Sequence, residues 1–155
     1  MRLTFLGPYD FSDFEKFAKD ADRFMYENCG SNLWPPEVLI AVRKEYPFDE
    51  VVRQWAQSRE YKVVEFEPKW NVLDPPYDMC VRRSRHGLYN AMGRILMEEE
   101  IAYWISETRH LQHCVSYLDK EDPEGEHIIN TMRRYLSPPR IMMRSFETAQ
   151  LFPPI

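Results

Sequence analysis

One stretch of the chain, residues 38–66, constrains the fold more than any other. Residues 38–42 form a short apolar run, and residues 61–66 form a second one. Between them, residues 49–56 place their apolar side chains on one face at helical spacing, and Asp49 stands where a helix cap is expected. A strand, a helix and a strand within about thirty residues are typical of a right-handed crossover between parallel strands. The sequence therefore predicts an α/β fold.

The other apolar segments continue the alternation of strands and helices. We predict three more strands, at residues 3–6, 113–118 and 141–143, and further helices over residues 14–25, 86 or 88 to 107, and 126–136. The resulting architecture is a single doubly wound, Rossmann-like α/β domain. Its mainly parallel, five-stranded sheet has the order 3-2-1-4-5; the domain spans residues 1–146 and is followed by a C-terminal tail, 147–155.

Composition limits the classes of partner. At 155 residues the chain is long enough for a sizeable core, and its net charge of −5 argues against a general nucleic-acid surface. Three unevenly spaced cysteines indicate a reducing compartment. No apolar run has the length of a membrane span or of a signal peptide. We predict a cytoplasmic protein with no membrane association.

The predicted strand order brings two turns together, residues 7–10 after the first strand and residues 119–126 after the fourth. The crevice between such turns is where open α/β sheets bind ligands. Carboxylates there could hold ribose hydroxyls or act as a general base, glycines would give close backbone access, and a tryptophan could stack on a base. The predicted ligand-binding residues are Gly7, Asp10, Asp49, Trp70, Asn90, Gly125 and Glu126. The alternative for Asp10 and Asp49 is that they only cap helices.

Charged residues elsewhere have two interpretations. Arginines at 82, 83, 85 and 94 could bind a phosphate. The alternative for Arg82, Arg83 and Arg85 is that they are solvated residues of a long polar loop over 71–85. The run Glu98, Glu99 and Glu100 is typical of a solvated helix face.

No metal site or cofactor is predicted. His110, His113 and His127 are not accompanied by a zinc-binding motif. Cys114 lies in an apolar strand, which favours a core position. Trp55 and Trp70 are predicted to be packing residues, with stacking on a base as the alternative for Trp70.

Five segments resemble the YspA-like branch of the SLOG (Smf/DprA–LOG) superfamily of Rossmann-like nucleotide-ligand domains. They are Phe-Leu-Gly-Pro-Tyr-Asp-Phe-Ser-Asp at 5–13, Asp49 with Trp55-Ala56, Phe-Glu-Pro-Lys-Trp at 66–70, Gly-Leu-Tyr-Asn-Ala-Met at 87–92, and Pro-Glu-Gly-Glu-His-Ile at 123–128. The chain departs from that pattern at residues 43–47, which replace the family's glycines, and at Tyr89 and Glu126. The resemblance implies a nucleotide-derived ligand, and the departures indicate a changed or lost one.

A second resemblance starts from Leu-Gly-Pro-Tyr at 6–9, which is similar to the opening of nucleoside 2-deoxyribosyltransferase-like proteins. Those enzymes use a glutamate as nucleophile on the anomeric carbon of the sugar. Glu124 and Glu126 are near the corresponding place, although Ile128 or Ile129 stands at the family's spacing.

Three functions follow as hypotheses. The first is binding or sensing of a nucleotide-derived small molecule. The second is a nucleotide-processing enzyme acting on N-glycosidic or phosphate bonds, with Asp10, Asp49 or Glu126 as base or nucleophile. The third is a protein-interaction module that has lost the ligand; a homodimer or another protein partner would fit an apolar helix face at Tyr103-Trp104.

Overall fold

The computed structural model describes residues 1–29, 37–69, 81–84, 87–109, 111–118, 123–144 and 146. Strands and helices alternate along most of the chain. The elements are β1 (Arg2–Leu6), α1 (Phe14–Cys29), β2 (Leu39–Arg43), α2 (Pro47–Ser58), β3 (Lys62–Phe66), β4 (Val81–Ser84), β5 (Gly87–Asn90), α3 (Met92–Ser106), β6 (Gln112–Ser116), α4 (Pro123–Met132), a 3-10 turn (Pro138–Arg140) and β7 (Ile141–Met143).

The main sheet has five parallel strands in the order β3-β2-β1-β6-β7. In order of appearance in that sheet, these are strands 3-2-1-4-5, so the predicted fold class and topology are confirmed. The order reverses between β1 and β6, which lie in register over the full length of β1, from Arg2 beside Gln112 to Leu6 beside Ser116. The switch point of the fold therefore lies between the carboxyl ends of β1 and β6.

Each face of the sheet is covered by a helical layer with its own core. Alternate residues of β1 serve the two layers, because successive side chains of a strand point to opposite faces. Leu3 and Phe5 pack with α1 and α2, whereas Leu6 packs with α3 and α4. Trp55 is fully buried, with its ring edge against Phe5 at 5.4 Å between centroids, and Cys114 is fully buried in the other layer. Both core predictions are confirmed.

The clearest departure from the sequence prediction is a second, two-stranded sheet. Residues 81–84 belong to a predicted loop and residues 87–90 to a predicted helix start, yet they pair as the antiparallel strands β4 and β5. Helix α3 begins only at Met92. The sequence predicts that the helix begins earlier, at residue 86 or 88. The two strands are missed because alternation over only four residues is a weak strand signal.

Helix starts also differ from their predicted positions. Helix α2 begins at Pro47 and helix α4 at Pro123, because proline fits the first turn, where its missing N–H is not needed. Within the described parts of the chain, no helix combines the length and the apolar character needed to cross a membrane.

Candidate functional site

Gly7 directly follows β1 and is buried beside the ring of Phe48. A Cβ atom placed on Gly7 would lie 2.3 Å from that ring, much closer than any side chain tolerates. The predicted close approach to this glycine is therefore made by the first turn of α2. Because Gly7 has no side chain, the ring of Phe48 can pack directly against the backbone that follows β1.

Asp10 and Asp49 have different environments. Asp10 is exposed in the loop between β1 and α1, and α1 is capped instead by Asp13, whose Oδ1 accepts the Lys16 N–H at 3.1 Å. Asp49 is 3% exposed; its Oδ2 accepts the Tyr46 N–H at 2.8 Å and its Oδ1 lies 3.1 Å from the Arg43 guanidinium. Asp49 thus holds the start of α2 from within its first turn, rather than as the residue that precedes the helix.

The remaining predicted site residues do not form one cluster. Gly125 is buried in the first turn of α4, and the next residue, Glu126, is exposed. Asn90 is the last residue of β5, and its side chain is outside the described structure. Trp70 lies outside the described residues. Of the predicted set, the structure places Gly7 directly after β1 and Gly125 in the first turn of α4.

Tyr46 contacts residues from the segments that follow two other strands of the sheet. It follows β2, and its hydroxyl donates to Glu124 Oε1 in α4 at 2.7 Å. The exposed ring of Tyr9, in the loop after β1, meets the Tyr46 ring edge-on at 5.1 Å between centroids. Residues that follow β1, β2 and β6 are therefore in contact at the place where open α/β sheets bind ligands. We call Tyr9, Tyr46 and Glu124 the crevice cluster.

Two arginines flank the crevice cluster. The guanidinium of Arg43 lies 5.0 Å from the centre of the Tyr46 ring, and that of Arg94 lies 5.4 Å from it. Burial, the hydrogen bond to Glu124 and the neighbouring carboxylates raise the pKa of Tyr46 well above its ordinary value. The phenol keeps its proton at neutral pH and donates a hydrogen bond to Glu124 Oε1.

Glu45 pairs with Arg94 beside the cluster. Its Oε1 accepts from Arg94, while its Oε2 is buried without a hydrogen-bond partner among the described residues. Burial raises the pKa of Glu45, and the Arg94 guanidinium opposes that rise. The arrangement leaves one carboxylate oxygen able to accept a hydrogen bond.

A buried ion pair beneath this region was not expected from the sequence. Arg82 of β4 donates to both carboxylate oxygens of Glu98 in α3 at 2.8 Å, and to the Thr131 hydroxyl in α4 at 2.7 Å. Arg82 is 4% exposed and Glu98 is 1% exposed. The predictions of a solvated or phosphate-binding Arg82 and of a solvated Glu98 are wrong, because the β4–β5 hairpin packs on the helices. The side chains of Arg83 and Arg85 lie outside the described structure. Glu100 is exposed, as predicted.

Among the described residues, the histidines of the predicted group do not form a cluster. His113 is buried in β6, His127 is exposed on α4, and His110 is outside the described residues. No group of three or more histidine, cysteine, aspartate or glutamate side chains among the described residues has the geometry to hold a metal ion.

Sequence reasoning missed Tyr46, Arg43 and Glu45, and it named Glu124 only for the second resemblance. The segment 43–47 was interpreted as a replacement for glycines. The sequence did contain one signal for these residues. Arg43 and Asp49 have opposite charges and stand at the two ends of a strand-to-helix turn, with Tyr46 between them. No protein-family model, curated protein or solved structure matches this chain.

Proposed function

We propose that this chain binds a nucleotide-derived small molecule in the crevice at the carboxyl edge of its parallel sheet. The observation that carries the proposal is the contact between Tyr9, Tyr46 and Glu124, which brings together the segments following β1, β2 and β6. Doubly wound sheets bind ligands at this switch point. The resemblance to nucleotide-ligand domains of the YspA-like SLOG branch supports the same class of ligand.

The charges of the crevice favour the nucleoside part of such a ligand over its phosphates. Glu124 and Glu126 both lie in the first turn of α4 and would repel a phosphate at that helix start. The Oε2 atom of Glu45 is buried and has no hydrogen-bond partner among the described residues. This atom and the carboxylate of Glu124 are acceptors of the kind that bind sugar hydroxyls. The exposed ring of Tyr9 offers an apolar surface next to them.

A thermal-shift screen tests the proposal. The panel contains nucleosides, ATP, NAD, ADP-ribose and cyclic nucleotides, each well above its expected Kd. A ligand present at about 100 times its Kd stabilises the fold by roughly 2.7 kcal/mol. We expect at least one member of the panel to raise the melting temperature.

Two variants locate the site once a ligand is found. Tyr46→Phe removes only the hydroxyl that donates to Glu124, and Glu124→Gln removes the charge but keeps an acceptor. Glu107→Gln is the charge-matched control, because Glu107 follows the end of α3 and approaches Arg2 at the opposite edge of the sheet. We expect the first two variants to weaken binding and the control to bind like the native chain. A flat screen on folded protein would contradict the proposal and favour the protein-interaction module.

An enzyme that cleaves N-glycosidic bonds is the second candidate, and the buried, tyrosine-bonded Glu124 is the observation that favours it. A carboxylate in this position could attack the anomeric carbon of a bound nucleoside as the base departs. Release of free base, detected by chromatography, tests this function. Glu124→Gln should abolish the release without abolishing binding, and intact substrate after long incubation would contradict the candidate.

A further inference from the structure

The ring of Phe146 is stacked between two other aromatic rings. Its plane lies within 6° of the Phe11 ring and within 5° of the Tyr117 ring, with 4.3 Å between centroids on each side. Most ring pairs in the adjacent core meet edge to face, such as Phe5 with Phe17 at 87°. Two parallel stacks on one ring form a flat slot, which is unlike the packing around it. We call the space between Phe11 and Tyr117 the ring slot.

The walls of the ring slot come from the two segments that meet at the switch point of the sheet. Phe11 belongs to the loop that follows β1, and Tyr117 follows β6 directly, with its N–H donating to the Leu6 carbonyl at 2.8 Å. Phe11 is two residues beyond Tyr9, so one loop supplies both a wall of the ring slot and a member of the crevice cluster. The two features therefore share the loop that follows β1.

The chain that carries Phe146 is fixed just before it. Arg144 donates to both oxygens of Asp20, at 2.7 and 2.9 Å, and Asp20 also accepts the Tyr117 hydroxyl at 2.6 Å. The Arg144 N–H donates to the Ser116 carbonyl at 2.8 Å. These bonds hold the wall residue Tyr117 and the chain as far as Arg144. None of them involves Phe146, so that ring can leave the slot without breaking them.

We infer that the ring slot receives the flat heterocyclic ring of the ligand and that Phe146 occupies it in the free protein. This inference rests on the function proposed above and adds a substrate class: molecules with a planar base, held by stacking between Phe11 and Tyr117. Stacking of a base on aromatic side chains tolerates different bases, because every base has a π face. Phe146 is an internal competitor, so the apparent affinity equals the intrinsic affinity multiplied by the fraction of molecules in which the slot is open.

Replacing Phe146 tests the inference. Fluorescence titration with ethenoadenosine, a fluorescent nucleoside without phosphate, compares the native chain with Phe146→Ala. We expect the variant to bind at least about fivefold more tightly, because the competing ring is gone. Phe146→Leu should give a smaller gain in the same direction, and it decides the matter if the alanine variant does not fold. Phe146→Trp keeps a flat ring in the slot and should give no gain.

A wall variant checks that the gain comes from the slot. The double variant Phe11→Leu and Phe146→Ala should bind ethenoadenosine no more tightly than the native chain does, because one wall of the slot is then missing. If the native chain binds ethenoadenosine or a member of the nucleotide panel and neither Phe146→Ala nor Phe146→Leu binds it more tightly, the inference is wrong while the proposed function stands. If neither the native chain nor the variants bind any of these molecules, the proposed function fails and the inference fails with it.

Discussion

At the scale of single residues, the pair of Arg43 and Asp49 fixes the turn that presents Tyr46. Both side chains are 3% exposed, and Asp49 also accepts the Tyr46 N–H. Asp49→Ala would leave the guanidinium of Arg43 buried without its carboxylate, which typically costs about 3–5 kcal/mol. We expect this loss in the free energy of unfolding measured with urea. Glu50→Ala, which changes an exposed neighbour in the same turn, should cost only a few tenths of about 1 kcal/mol. Equal losses for the two variants would show that Asp49 is not the anchor of the turn.

His113 gives the residue-scale prediction for pH. Burial, followed by the charges of Arg140 and the N-terminus, lowers the pKa of His113 below its ordinary value of 6.5, and neither ring nitrogen has a hydrogen-bond partner among the described residues. The unfolded chain therefore takes up this proton first as the pH falls. The contribution of neutral, buried His113 to the free energy of unfolding is complete above its ordinary pKa. It is lost as the pH falls from there toward the lowered pKa, by at most about 1.4 kcal/mol per pH unit.

His113→Phe should remove this loss. We expect the free energy of unfolding of the variant to fall less steeply than that of the native chain between about pH 6.5 and the lowered pKa. His127→Gln, an exposed control, should keep the native slope. Parallel curves for the native chain and His113→Phe would contradict the assignment.

At the scale of elements, the end of α2 contains a residue in an unfavourable conformation. Glu60 has a φ of 61°, in the left-handed region that favours glycine. The Tyr61 N–H bonds to the Ala56 carbonyl and the Glu60 N–H to the Gln57 carbonyl, which is the pattern of a Schellman motif. Glu60→Gly should stabilise the protein by about 1 kcal/mol. Glu60→Ala keeps a Cβ atom and should not stabilise the protein. If alanine stabilised it as much as glycine does, the effect would come from the lost charge and not from the backbone conformation.

The β4–β5 hairpin is attached to α3 and α4 through Arg82. Arg82→Met alone leaves Glu98 buried without its guanidinium and should cost about 3–5 kcal/mol, whereas the double change Arg82→Met and Glu98→Leu should recover most of that loss. Unfolding of the native chain, both single variants and the double variant measures the coupling. Additive losses would mean that the pair does not hold the hairpin.

At the scale of the whole molecule, the sequence was most informative where periodicity extends over a complete element. The apolar runs of β1, β2 and β3 and the stripe of α2 are enough for a parallel crossover, and the strand order was correct. The hairpin was missed because each of its strands has only four residues and because Arg82 and Glu98 look solvated until they are paired. Charge pairing across distant elements has no local signal in one sequence.

The same limit applies to the candidate site. The predicted strand order correctly made β1 and β6 neighbours, since the alternation of strands and helices limits the possible topologies. It did not identify Tyr46 as the link to Glu124, because the two residues are 78 positions apart and a hydrogen bond between distant residues has no local signal in one sequence. Phe146 was interpreted only as the end of the domain, and its stacking depends on two loops that meet after folding.

One measurement tests the central proposal most directly: backbone amide NMR of the isotope-labelled chain, titrated with the nucleotide panel. We expect one ligand to shift the amide signals of Gly7, Tyr46 and Gly125, which lie at the carboxyl edge of the sheet. Signals at the opposite edge, such as those of Arg2 and Gln112, should stay in place. Shifts confined to that opposite edge, or an unchanged spectrum with every member of the panel, would contradict a ligand site at the switch point.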